Sequence, residues 1–190
     1  MYRLYRFENF LYTVTMTGGE IDRHLEHSAG LWFETMEKRN DYMLRYRLDD
    51  SGAPVMVNGT ARLRNPSYNF ESAMGIRYTV DVSKPQGARV TITSLSDGTP
   101  FSYSATYTVA VNSYRANGGG GHFPAAGITG KELEGRIISA TERDLRHYMT
   151  EWIRNKGTIT PLPLSEWSII PAAWASEAEK REMKLLFGEN

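Results

Sequence analysis

"NFLYTVTMTGGEIDRHLEHSAGLW", residues 9–32, changes its period in the middle. Up to Thr17 the apolar residues alternate, with Phe10, Tyr12, Val14 and Met16 on one face and Leu11, Thr13 and Thr15 on the other, the pattern of a strand. From Thr17 onward the spacing is helical. Thr17 is an N-cap residue and Glu20, three positions on, completes a capping box. Ile21, Leu25, Ala29 and Trp32 then form one apolar stripe, so the spacing predicts a helix over residues 18–37. A strand feeding directly into a capped helix sets the question for the rest of the chain: alternating βα units, or a mixed fold.

The following segments favour the mixed fold. Residues 48–60, "LDDSGAPVMVNGT", are rich in turn formers and read as an irregular hairpin or loop. Strand patterns recur at 76–83, at 88–101 with Asp97-Gly98 as the turn, and at 106–114. "ITGKE" (128–132) repeats the earlier helix start, with Thr129 as N-cap and Glu132 three residues on, and predicts a helix to Ile138. The two Thr-Gly-x-Glu starts hint at an internal duplication. Residues 139–157 read as a further helix burying Leu145, Met149, Trp152 and Ile153, with Gly157 as its stop. Residues 160–171 are Pro-rich and extended, and 175–187 predict a terminal helix. The order of strand, helix, several strands and then helices points to a single α+β domain with a mixed β-sheet packed with helices, not a doubly wound sheet.

Composition narrows the function classes. The 190 residues suffice for one domain with a proper core, and the formal net charge is zero, which argues against a nucleic-acid polymer or an anionic membrane as partner. There is no cysteine, which removes a thiol nucleophile, a disulfide framework and a cysteine-based zinc site. No apolar run is long enough to span a bilayer, and the first residues do not form a secretory signal.

"VAVNSYRANGGGGHFP" (109–124) is the stretch that asks for a ligand. Gly118, Gly119, Gly120 and Gly121 fit neither a P-loop nor a dinucleotide fingerprint. A flexible loop is the plain alternative. Just before them, Asn112, Tyr114 and Arg115 stand at a strand end. A flat ring beside backbone N–H groups suits a nucleotide, and a guanidinium suits a phosphate or a base edge. Of the histidines, His24 and His27 share a helix face without further metal ligands and read as surface or cap residues, whereas His122 beside the glycines is worth testing. Asp49 and Asp50 read as a solvated turn. No Gly-x-Ser-x-Gly elbow is present, and the residues supply no catalytic set: the chain reads as one that binds and does not cleave.

At this stretch the sequence resembles the C-terminal domain of the 5′-nucleotidase family, nearest the 2′,3′-cyclic-nucleotide 2′-phosphodiesterase/3′-nucleotidase branch. "LYRFENFLYTVTMTGGEIDRHLEHSAG" (4–30), "GIRYTVDVSKPQGARV" (75–90), "DGTPFSYSATYTVAVN" (97–112) and "LSEWSIIP" (164–171) resemble the family in the same order. The resemblance covers residues 1–171 and leaves 172–190 as a helical tail. It implies a nucleoside-recognition domain of a metal-dependent nucleotidase or cyclic phosphodiesterase of nucleotide catabolism, periplasmic or exported, with the signal peptide outside this chain. The expected partners are a nucleotide or nucleoside monophosphate and an N-terminal metallophosphoesterase domain. That domain, not this chain, would hold the two divalent metal ions and the hydrolase activity; no metal, cofactor or catalytic residue is expected here. The family's two base-clamping rings map onto Phe7 and Tyr114, with Asn112, Arg115, Asn117 and Gly118–Gly121 around them. Phe7 as a core residue is the alternative. True 5′-nucleotidases tend to carry an aspartate where this chain has Gly120, which leans the resemblance towards the cyclic-phosphodiesterase branch. A stand-alone nucleotide-binding or scaffold module is the rival reading, and a single-stranded RNA binder using Tyr114 and Phe123 is a weaker one.

Overall fold

A computed structural model describes residues 4–161 and 165–188. They divide into two compact units, residues 1–21 with 102–164, and residues 22–101 with 165–190. The expected α+β class holds, with the strands distributed over two three-stranded sheets and one two-stranded hairpin.

In the first unit, β1 (Phe10–Thr17) is the central strand, flanked by β6 (Thr106–Asn112) and β7 (Ile137–Asp144), both antiparallel to it. Val14 and Met16 are buried, as the alternation predicts. β1 runs into α1 (Gly18–Trp32) through a closed capping box. The Thr17 N–H donates to Glu20 Oε2 at 2.7 Å and the Glu20 N–H to Thr17 Oγ1 at 3.3 Å. The second Thr-Gly-x-Glu start behaves differently. α4 (Gly130–Arg136) has Thr129 at its N-cap without a side-chain bond, and Glu132 pairs with Arg136 instead, which also donates to Glu20 Oε2 at 2.7 Å. The two starts are therefore not structural repeats.

Residues 137–144 correct the sequence reading. They were expected to lie in helices and instead form β7, because the open edge of β1 offers them a ladder. Thr141 Oγ1 accepts the Leu11 N–H at 3.0 Å, and Thr13 and Ser139 hydroxyls meet at 2.6 Å. The helix α5 (Leu145–Lys156) starts only after Asp144, whose carboxylate caps the His147 N–H, and it stops at Gly157 as predicted. It buries no residue completely. Leu145, Met149 and Ile153, at i, i+4 and i+8, form a narrow half-buried stripe, while Trp152 falls off that stripe and is 53% exposed.

The second unit contains β4 (Ile76–Asp81) between antiparallel β5 (Val90–Leu95) and parallel β8 (Trp167–Ile170), together with a small hairpin of β2 (Met56–Val57) and β3 (Thr60–Ala61). α1 ends at Trp32, five residues short of the predicted length. Its last carbonyls are taken by other donors: Arg45 Nη1 bonds Gly30 O at 2.6 Å, Asn65 Nδ2 bonds Leu31 O at 2.7 Å and the Arg45 N–H bonds Trp32 O at 2.9 Å. The chain then turns extended, and Phe33 bridges to Leu44. Residues 162–164 of the Pro-rich stretch lie outside the described residues.

α6 (Ala172–Phe187), expected as a tail, is built into this unit through Glu182. That side chain is 1% exposed. Its carboxylate accepts the Met43 N–H at 2.7 Å, the Leu44 N–H at 2.9 Å and the Tyr46 hydroxyl at 3.0 Å. Burial first, then the adjacent Glu182 charge, push the Tyr46 phenol up, so it remains a donor. A charged acceptor satisfied by two backbone donors and a phenol is costly to disturb. Glu182→Gln is expected to lower unfolding stability by about 2–3 kcal/mol, read by urea denaturation, since its amide nitrogen would face an N–H donor.

Candidate functional site

The first unit brings the N-terminal arm to the end of β6. The register pairs Leu11 with Asn112, and its continuation sets Phe10 beside Ser113. Ser113 Oγ accepts the Phe10 N–H at 3.0 Å and donates to Asn9 Oδ1 at 3.3 Å. Asn9 is the hub of the arm. Its Nδ2 donates to the Tyr5 hydroxyl at 2.8 Å, and its carbonyl accepts the Leu145 N–H at 2.7 Å. Arg146 adds a second tie, bonded to Asp144 at 2.7 Å and lying 3.6 Å from Glu8. Arg146 first, then the His147 N–H, hold the Asp144 carboxyl below its usual range. Phe7 follows in this arm, 45% exposed and edge-on to Tyr5 at 6.3 Å. It is not a core residue.

On the other side of the junction, Asn112 ends β6 and caps the single turn α2 (Ser113–Ala116), its Oδ1 accepting the Arg115 N–H at 2.9 Å. Two residues expected in β6 are thus helical, and Tyr114 is turned outward, 39% exposed. Arg115 goes the other way. It is 2% exposed, its Nη1 donates to Gly119 O at 3.1 Å, and its guanidinium carbon lies 5.1 Å from the Tyr114 ring centre. In this arrangement Arg115 holds the glycine loop and supports the ring; it does not extend into solvent.

The glycine run answers the question it raised. Gly118, Gly120 and Gly121 have φ of +85°, +72° and +74°, in the left-handed region that favours glycine. Gly119 is required for space: a Cβ there would stand 2.5 Å from both the carbonyl oxygen and the ring Cε2 of Tyr114. What the loop approaches is the chain's own Tyr114. Asn117 closes α2, its N–H bonding Ser113 O at 2.9 Å, and its side chain is exposed. The loop leads into α3 (His122–Ala126), where His122 and Phe123 are fully buried. Behind the loop lies a cavity of about 320 Å³ whose lining includes Tyr12, Asn117, Gly118, Phe123 and Glu134; neither Phe7 nor Tyr114 lines it.

Three residues of this corner escaped sequence reasoning: Asn9, Ser113 and Arg146. Asn9 stands directly before the first alternating residue, which is the one local signal that it ends an arm. In the second unit, His24 is not the surface residue expected. It is buried, with Nε2 at 2.5 Å from Glu71 Oε2. Asp49 is the solvated turn residue it was read as, accepting from Ser51 and Ala53; those bonds lower its carboxyl.

Comparison with known proteins is consistent with this architecture. The chain is 30% identical over 181 residues to the trifunctional nucleotide phosphoesterase protein YfkN of Bacillus subtilis, covering 90% of this chain and 11% of that protein. It is 28% identical over 184 residues to the 2′,3′-cyclic-nucleotide 2′-phosphodiesterase/3′-nucleotidase of Salmonella typhimurium, covering 88% of this chain and 25% of that one. The chain thus spans a quarter or less of the length of these curated relatives. A 5′-nucleotidase precursor from Thermus thermophilus superposes with a TM-score of 0.60 at 21% identity, over 90% of this chain and 27% of that one, which shows a shared fold. The sequence profile of the 5′-nucleotidase C-terminal domain matches residues 1–127, and the chain belongs to that family.

Proposed function

We propose that this domain recognises the nucleoside part of a nucleotide. Phe7 and Tyr114 would clamp the base, and Gly118–Gly121 would run past the sugar. Asn112, Arg115 and Asn117 would hold that loop in place. The observation that carries this reading is the tie between Asn9, Phe10 and Ser113, which brings the segments bearing the two rings to one corner although they are over a hundred residues apart. Both rings are exposed there, Phe7 at 45% and Tyr114 at 39%.

The chemistry of such a protein would lie elsewhere in it. A metallophosphoesterase domain with two divalent ions would polarise the phosphate and activate water. This domain would supply orientation, which governs how often the phosphate meets that centre correctly. A periplasmic or exported setting belongs to the same reading.

Adenosine and uridine monophosphates titrated into the isotope-labelled chain are expected to shift amides of residues 7–10 and 112–121, with millimolar affinity. Tyr114→Ala should weaken the response about tenfold, the scale of one lost base–ring stack, while Tyr114→Phe should keep it. An identical response in the alanine variant would defeat the clamp. Gly119→Ala should displace the loop, weakening the same shifts and costing about 2 kcal/mol of stability, because the added Cβ meets backbone as well as ring. The purified chain alone is expected to show no metal-dependent release of phosphate from linear or 2′,3′-cyclic nucleotides; measurable turnover would overturn the division of labour.

A further inference from the structure

The second unit contains a cavity of about 570 Å³ that the nucleoside reading does not use. One wall is aromatic. Trp32 and Phe70 have ring centres 5.2 Å apart at 40°, and Phe70 and Trp167 are 5.9 Å apart at 46°. All three rings are half-buried and line the cavity. Neither pair is a parallel stack. The wall is also held in place from behind. Trp167 stacks on buried Tyr78 at 5.8 Å and 9°, and the Tyr78 hydroxyl accepts the Ala73 N–H at 3.1 Å. Trp32 is anchored through its carbonyl by Arg45.

The charged side chain in the lining is Glu179, on α6. It is exposed, and among the described residues it takes part in no hydrogen bond or ion pair. Its neighbours on the same helix are engaged: Glu177 pairs with Arg39, and Glu182 caps Met43 and Leu44. Arg181 donates to Asp41 O. Three aromatic rings and a free carboxylate in one lining favour a cation, and the apolar Phe33, Leu44 and Ile169 in the same lining favour one with a hydrocarbon body. A single carboxylate is too few for a bare divalent metal, and an anion would meet both the quadrupoles and Glu179 unfavourably.

We propose that this cavity is a binding site for an organic cation, a quaternary or protonated amine whose head sits between the Trp32–Phe70–Trp167 wall and the Glu179 carboxylate. Its lining residues all belong to residues 22–101 and 165–190, and Phe7 and Tyr114 are not among them.

Choline chloride and its uncharged isostere 3,3-dimethylbutan-1-ol, titrated into the isotope-labelled full chain, make the test. Choline should move the indole N–H signals of Trp32 and Trp167 and bind about fivefold more tightly than the isostere. Glu179→Gln, an exposed substitution that leaves the fold intact, should reduce choline affinity about threefold and abolish its salt dependence. Trp32→Leu should erase the preference for charge. Equal binding of the two probes, unmoved indole signals, or an unchanged response in Glu179→Gln would each overturn the proposal. So would indole shifts that depend on protein concentration without ligand, because they would show a second copy of the chain covering the cavity.

Discussion

The antiparallel pairing of β1 with β6 is the constraint on which the candidate site depends. The partners Leu11 and Asn112 are a hundred residues apart in sequence, and no local signal joins them. A slip of one residue would turn Val14 and Met16 out of the core, so the hydrophobic effect enforces the register across the whole ladder. Once it is set, Ser113 lies beside Phe10 and can use its hydroxyl both to accept and to donate. Asn9 then carries the arm onward to Tyr5 and Leu145. Phe7 and Tyr114 are exposed on the two segments that these bonds tie together.

Four buried charged side chains of this protein are bonded to backbone groups. Glu26 accepts the Val90 N–H at 2.6 Å and the Gly87 N–H at 2.9 Å, as Glu182 does for Met43 and Leu44. Arg89 donates to Phe33 O at 2.7 Å, and Arg115 to Gly119 O at 3.1 Å. In each case a buried charge is spread over backbone groups that would otherwise be unsatisfied where α1 ends or a loop turns. Asp22, one turn before Glu26 on α1, is raised to about 6 by burial first and then by the Glu26 charge. A perturbed carboxyl here reflects packing, so it is not by itself a mark of catalysis.

Local pattern was legible where one face met one rule. The alternation of residues 10–17, the Thr17–Glu20 box, the Asp97-Gly98 turn and the Gly157 stop are all present as read. The errors fall where a distant partner outweighed local preference. "IISATERD" has no strong period, and the free edge of β1 made it a strand. α1 has helical spacing past Trp32, and Arg45 and Asn65 ended it by occupying its carbonyls. Trp152 falls off the half-buried stripe of α5 on which the helical spacing set it.

By itself the sequence determined the α+β class, the alternation of β1, the capped start of α1 and the family to which residues 1–127 belong. These depend on short-range periodicity, capping and motif order, which are written along the chain. Tertiary structure alone decided that Arg115 turns inward while Tyr114 turns out, that Gly119 must yield its space to Tyr114, and that Trp32, Phe70 and Trp167 share one wall. Each of these is a matter of which side of the backbone a group occupies once distant segments compete for the same volume, and close packing settles that competition only when the whole chain is folded.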